Sequence, residues 1–325
     1  MEFFKNMCQQ WNLGRIITEP FPLQGGLMHK MYGICTDRGK YAVKILNPHV
    51  MLRKTAKENF STAERLESLL EKEGIPILPA LIYYNRKMQE LDGQYFYLFD
   101  WYDGKAVHGG EIHQKHCAEM GKALARIHQI DQRDSGGEKV PLQVNWSFYY
   151  KEMKNTDKEI FDLLERNLSF LYEFQERGNR ASIRVPGVST ICHNDMDSKN
   201  VLWQEAEYRI IDLECLSYSN PLEELLETAL CWAGFDDCNF SMEKFQSFTE
   251  AYAEQNGGLL ENVSWESVYD SNNGQLLWLE YNLKRVLGIE CEESEKEIGK
   301  SETVKALERI AYYDKMREII LNGVV

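Results

Sequence analysis

Residues Ile191–Glu214 read ICHNDMDSKNVLWQEAEYRIIDLE, and the rest of the 325-residue chain takes its meaning from them. A His-x-Asp occupies His193 to Asp195, Asn200 follows five residues after that aspartate, and an apolar Ile210-Ile211 pair runs into Asp212. Val201 to Trp203 and Tyr208 to Ile211 read as two short strands joined by a turn. That hairpin would set Asp195, Asn200 and Asp212 at neighbouring loop and strand ends, where their side chains can converge. Two carboxylates and a carboxamide are hard oxygen donors suited to Mg²⁺. One aspartate is left to take the proton of an incoming hydroxyl, the layout of phosphoryl transfer from a nucleotide. Turn-capping by Asx side chains is the plainer alternative.

Upstream residues supply what such chemistry needs. Gly25-Gly26 precedes a hairpin whose strands are Ile34 to Thr36 and Tyr41 to Ile45, with a turn at Asp37 to Gly39. Tandem glycines let backbone N–H groups approach a phosphate closely, although a plain turn accounts for the pair equally well. Neither G-x-x-x-x-G-K-[ST] nor G-x-G-x-x-G is present, which removes a Walker loop and a dinucleotide fingerprint. Lys44 follows Ala42-Val43 inside an apolar strand, where a lysine is costly unless it meets a cleft or an anion. Ala-Val-Lys after a glycine loop is the arrangement by which kinases hold α- and β-phosphates; an edge lysine facing solvent is the alternative. Lys57 to Glu73 carries Phe60, Ala63, Leu66, Leu69 and Leu70 at helical spacing. Of its glutamates, mid-helix Glu64 is the expected partner of Lys44. Ala80 to Tyr84 and Tyr95 to Phe99 read as further strands. Asp100 to Tyr102 then form a hinge whose backbone could meet an adenine edge, with Asp100 and Tyr102 as nucleotide-site residues and Phe99 and Leu81 sandwiching the base.

The remaining chain reads as helical. Glu111 to Gln129, Asn155 to Glu176, Leu222 to Ala233 and Gln275 to Leu287 carry apolar stripes. His128 is expected as a satisfied core histidine, and Glu223 and Glu224 as acidic groups at a helix start. Glu290 to Glu297 reads as a solvated face, with a mouth for a cationic substrate as the sharper option.

Composition bounds the setting. The length suits two lobes, and the net charge of −14 argues against a nucleic-acid partner. Eight scattered cysteines without paired metal-ligand spacing point to a reducing, cytoplasmic location. No stretch is apolar enough for a bilayer span, and nothing speaks to the oligomeric state.

Taken together, His193-Asn-Asp195 with Asn200, Ile211-Asp212, Gly25-Gly26 and Ala42-Val-Lys44 resemble the aminoglycoside phosphotransferase and choline kinase group, which are protein-kinase-like small-molecule kinases. The resemblance implies an α+β, bilobal fold: residues 1–100 as a nucleotide-binding N-lobe with an antiparallel sheet and one main helix, and 101–325 as a mostly helical C-lobe. It implies Asp195 as catalytic base, Asn200 and Asp212 as Mg²⁺ ligands, Lys44 on the α/β-phosphates, and ATP as donor with GTP left open. His193 would buttress the loop. Asp197-Ser-Lys199 and Asp-Leu-Glu depart from the commoner patterns, and no Ala-Pro-Glu platform for a protein substrate follows. The expected acceptor is a hydroxyl on a small, polar, cationic molecule, aminoglycoside-like or else choline, ethanolamine, another amino alcohol or a sugar. A kinase-fold binding protein without turnover is the competing class.

Overall fold

The computed structural model describes residues 1–23, 28–134, 140–289 and 291–324. Gly25 and Gly26 lie outside the described residues, as do Glu290 and most of the loop after Asp134. The chain forms two compact units, the first made of Met1–Glu111 with His193–Ser217 and the second of Ile112–Cys192 with Tyr218–Val325. Where a division near residue 100 was expected, the grouping is discontinuous: the His193–Ser217 segment returns to the N-terminal unit.

The first unit is built on a five-stranded antiparallel sheet, β1 (Phe21–Pro22), β2 (Lys30–Thr36), β3 (Gly39–Ile45), β4 (Gln89–Leu91) and β5 (Gln94–Asp100), in the order β1-β2-β3-β5-β4. Strand alternation sends successive side chains to opposite faces. Ile34, Val43, Phe96 and Leu98 join Phe4 and Met7 from the helix Glu2–Gln10, and Trp11 just after it, in one core. Tyr97 and Leu46 join Phe60 from the helix Ala56–Lys72 in another. At the β4–β5 turn Asp92 and Gly93 both take positive φ, the conformation a two-residue hairpin of the mirror-image type requires.

Two expectations change here. Ala80 to Tyr84 is not a strand; Leu81 N–H reaches Leu98 O, the chain turns at Tyr83 and Arg86, and Gln89–Leu91 pairs with β5 instead. The Phe99–Leu81 sandwich does not form, because Leu81 packs with the core containing Leu98 while Phe99 packs with the core containing Tyr97. Adjacent residues of one strand face opposite ways, so the two side chains stand on opposite faces of the sheet.

The His193–Ser217 segment adds a second antiparallel pair, Val201–Gln204 with Glu207–Ile210. It is stitched to the rest of its unit by Lys105–Trp203 and by Leu78 N–H to Ile210 O (2.9 Å).

The second unit is mainly helical. The expected single run from Asn155 to Glu176 is two helices, Trp146–Thr156 and Lys158–Ser182, because Asp157 is extended and its side chain caps the second through Ile160 N–H. Asn220 likewise accepts from Leu222 and Glu223 N–H, and Pro221 opens the helix Pro221–Trp232. That cap frees Glu224 for another purpose. Buried His128 has its Nδ1 2.8 Å from Tyr252 Oη and its Nε2 2.7 Å from Glu224 Oε2, with all three side chains in the core. His128 is thus the satisfied core histidine expected, and Glu224 is a buried partner rather than a terminal charge. Because His128→Ala strips two buried polar groups of one imidazole, it is expected to lower unfolding free energy by about 3–5 kcal/mol in urea titrations, as loss of a buried polar partner does.

Farther on, Glu295 accepts from the buried Arg285 (3.1 Å), while Glu293, 85% exposed, pairs with Lys296 at the surface as part of the solvated face expected there. Among the described residues no helix is long and apolar enough to cross a membrane. All eight cysteines are free thiols.

Candidate active site

Lys44 sits on β3, an interior strand of the sheet, opposite Met31 on β2 and Tyr97 on β5, and is 7% exposed. An edge lysine in solvent is therefore ruled out by its place. Burial alone would drive the proton off this ammonium; the carboxylates of Asp212 and Glu214, both ion-paired to it, more than reverse that and raise its pKa. Glu64, the expected partner, is not among those partners. It accepts instead from Met88 N–H (3.0 Å) and Tyr97 Oη (2.9 Å), while its neighbour Glu67 pairs with buried Lys87 at 2.9 Å. The reason is physical: the turn Leu213–Cys215 packs along the helix Ala56–Lys72, which brings a carboxylate from the chain's far end to the lysine.

Glu214 and His29 are the two residues sequence reasoning missed. His29 Nε2 lies 3.1 Å from Glu214 Oε1, and its Nδ1 accepts the Asn47 N–H at 3.0 Å. An Nδ1 that accepts leaves Nε2 to carry the proton, so the imidazole donates to Glu214. Burial pushes the Glu214 carboxyl upward, but the His29 hydrogen bond and the Lys44 charge pull it down to about 2. Glu214 had one visible signal, its place in Asp-Leu-Glu. His29 had none.

The loop before Asn200 is held with similar economy. His193 Nδ1 accepts the Asp195 N–H (3.3 Å) and its Nε2 donates to Ile211 O (3.1 Å), one residue before Asp212. Asn194 takes positive φ, which asparagine tolerates, and its amide reaches Cys215 O at 2.8 Å. Asn200 Nδ2 donates to both the backbone oxygen and Oδ2 of Asp195, each at 2.8 Å. With its nitrogen so engaged, Asn200 turns its oxygen elsewhere as an acceptor. Asp212 is left-handed (φ 63°, ψ 50°), a backbone state that costs on the order of 1–3 kcal/mol in a non-glycine residue and clusters at functional sites.

The electrostatics of this cluster are lopsided. Asp195, Asp197, Asp212 and Glu214 are met by the ammoniums of Lys44 and Lys199, which leaves two carboxylate charges unbalanced. The Asp195 pKa is raised from its ordinary value, by burial first, with Lys199 opposing and Asp197 and Asp212 adding to the rise. A divalent ion would balance the set, and the donors that could hold it, the Asn200 carboxamide oxygen and the Asp212 carboxylate, are the hard oxygens Mg²⁺ prefers.

The hinge residues are placed less tellingly. Asp100 ends β5 opposite Tyr41 and is exposed. Tyr102 lies under the Arg209 guanidinium (5.5 Å), and its buried hydroxyl has no hydrogen-bond partner among the described residues.

The sequence model of the phosphotransferase enzyme family matches residues 22–265, well over half of the chain. Among solved structures, a spectinomycin phosphotransferase in complex with ADP and spectinomycin is similar at TM-score 0.69 and 16% identity, over 97% of this chain and 94% of its own. A choline kinase from Cryptosporidium parvum Iowa II gives 0.57 at 15% identity over 100% and 97%. An aminoglycoside phosphotransferase from Alicyclobacillus acidocaldarius subsp. acidocaldarius gives 0.60 at 12% identity over 97% and 94%. The α+β, protein-kinase-like fold is therefore the one this chain adopts. No protein of curated function matches it by sequence.

Proposed function

The chain belongs to the phosphotransferase enzyme family, and from that premise we propose that it moves the γ-phosphate of ATP to a hydroxyl of a small, polar, cationic molecule. The observation that carries this reading is the direct contact of Asn200 with Asp195, in the same compact unit as the Lys44–Asp212 pair. Asp195 is the base. It orients the acceptor hydroxyl and takes its proton as the oxygen bonds to phosphorus. Asn200 fixes the rotamer of Asp195 through its Nδ2 hydrogen bond. Lys44, held ammonium by Asp212 and Glu214, lies ready to neutralise α- and β-phosphate oxygens. Mg²⁺ at Asn200 and Asp212 would supply charge neutralisation of the triphosphate. Because the transition state is loose, positioning and electrostatics supply most of the rate.

The cationic acceptor rests on the acidic balance of the chain, −14 overall, and on the nature of its structural relatives. One relative is solved with spectinomycin, and others are choline and ethanolamine kinases. An aminoglycoside-like acceptor is the first choice and an amino alcohol the second. A binding protein without turnover is disfavoured by the retention of Asp195, Asn200 and Asp212 together.

Thermal denaturation with ATP separates the classes. Unfolding should shift upward with ATP and Mg²⁺ together and much less with ATP alone, by linkage of nucleotide binding to the folded state. A shift indifferent to Mg²⁺ would remove the metal-assisted scheme. An ATP-consumption screen over aminoglycosides, choline, ethanolamine and sugars then identifies the acceptor; turnover of another acceptor with none of the aminoglycosides eliminates the first choice.

A further inference from the structure

We infer that Lys199 is a second cation of the transfer step, its ammonium meeting the oxygens of the migrating phosphoryl group beside Asp195. The inference rests on the kinase reading above and deepens it. Lys199 Nζ stands 3.4 Å from Asp195 Oδ1 and is ion-paired to Asp197. Asp197 holds this lysine at both ends, since its Oδ1 accepts the Lys199 N–H at 2.9 Å while its Oδ2 takes the ammonium. The side chain is thereby folded back toward the base instead of trailing into solvent. It stays 51% exposed, so an incoming ligand can reach it.

Stability does not explain the arrangement. An exposed i,i+4 pair contributes little, commonly under about 1 kcal/mol, and the turn Ser198–Asn200 is already capped by the Asp197 side chain. What the lysine adds is positive charge where negative charge moves. In the transfer, the bond between the γ-phosphorus and its bridging oxygen breaks, the acceptor oxygen bonds to that phosphorus, the acceptor proton passes to Asp195, and ADP leaves. The ammonium that Asp197 holds beside Asp195 faces the oxygens of the phosphoryl group as it moves.

The test compares wild type with Lys199→Ala, Lys199→Arg and Asp197→Asn. Turnover is followed as phosphate release from MgATP with water as acceptor, and as ATP consumption with kanamycin, spectinomycin, choline and ethanolamine. ADP affinity is measured by calorimetry on the same samples. Lys199→Ala should lose about 10²–10³-fold in kcat, as removal of one preorganised charge donor does, with ADP affinity and melting temperature unchanged. Lys199→Arg should recover a large part of the loss, and Asp197→Asn, which frees the ammonium to wander, should fall between the two. Turnover by Lys199→Ala within a few-fold of wild type overturns the assignment, and so does a loss matched by weakened ADP binding or melting. Wild-type protein that neither binds MgATP nor consumes it overturns the kinase reading itself, an outcome visible before any variant is made.

Discussion

Asp195→Ala protein should bind MgATP with near wild-type affinity and turn over about 10²–10⁴-fold more slowly, the range a positioned general base contributes. The expectation follows from where the carboxylate sits. Asp195 touches Asn200 and Lys199 but not Lys44, so its removal spares the lysine expected to hold the nucleotide. Burial, first among the causes, raises its pKa from the ordinary carboxylate value. Single-turnover kinetics with nucleotide affinity measured in parallel make the check. Parallel loss of both would give Asp195 a structural role and remove it from the chemistry.

Lys44→Ala should show the opposite pattern, with the loss falling on nucleotide affinity. A charge-assisted hydrogen bond contributes about 1.5–3 kcal/mol, which predicts a rise in the dissociation constant of order 10- to 100-fold. The variant should also be less stable. Lys44 is the cation on which Asp212 and Glu214 converge, and breaking a buried charge pair costs about 3–5 kcal/mol in protected settings. Glu214→Gln separates the effects, because it keeps Lys44 and its Asp212 pair. Its nucleotide affinity should therefore fall less than that of Lys44→Ala. Weakened nucleotide binding in Lys44→Ala with full turnover would contradict the scheme, since it would place the lysine away from the reacting phosphates.

How much of this was legible beforehand can be judged residue by residue. The hairpin Val201–Gln204 with Glu207–Ile210 and the helices Ala56–Lys72 and Gly274–Val286 follow from alternation and helical spacing, which are local properties. The break at Asp157 was missed because apolar periodicity continues through a capping residue. Ala80 to Tyr84 misled because Leu81 and Tyr83 pack against the core that contains Leu98 while Ile82 and Tyr84 face solvent, and the strand pairing with β5 is made by Gln89–Leu91. Asp195, Asn200 and Asp212 could be singled out because their spacing along one segment restricts where their side chains can go.

The Lys44 partner was of another kind. Choosing Glu64 assumed that an ion pair is settled by the nearest helix, whereas Glu64 is spent on Met88 and Tyr97. Which carboxylate wins depends on how the turn after Asp212 lies along the helix Ala56–Lys72, and no short-range pattern encodes that. The sequence by itself determined the reaction class, because local spacing places the loop donors wherever the segment folds. Only the tertiary structure decided that Glu214, itself met by His29, holds the lysine and that Lys199 is folded onto Asp195. Those contacts join residues distant in the chain, or turn on a side-chain direction that spacing leaves open.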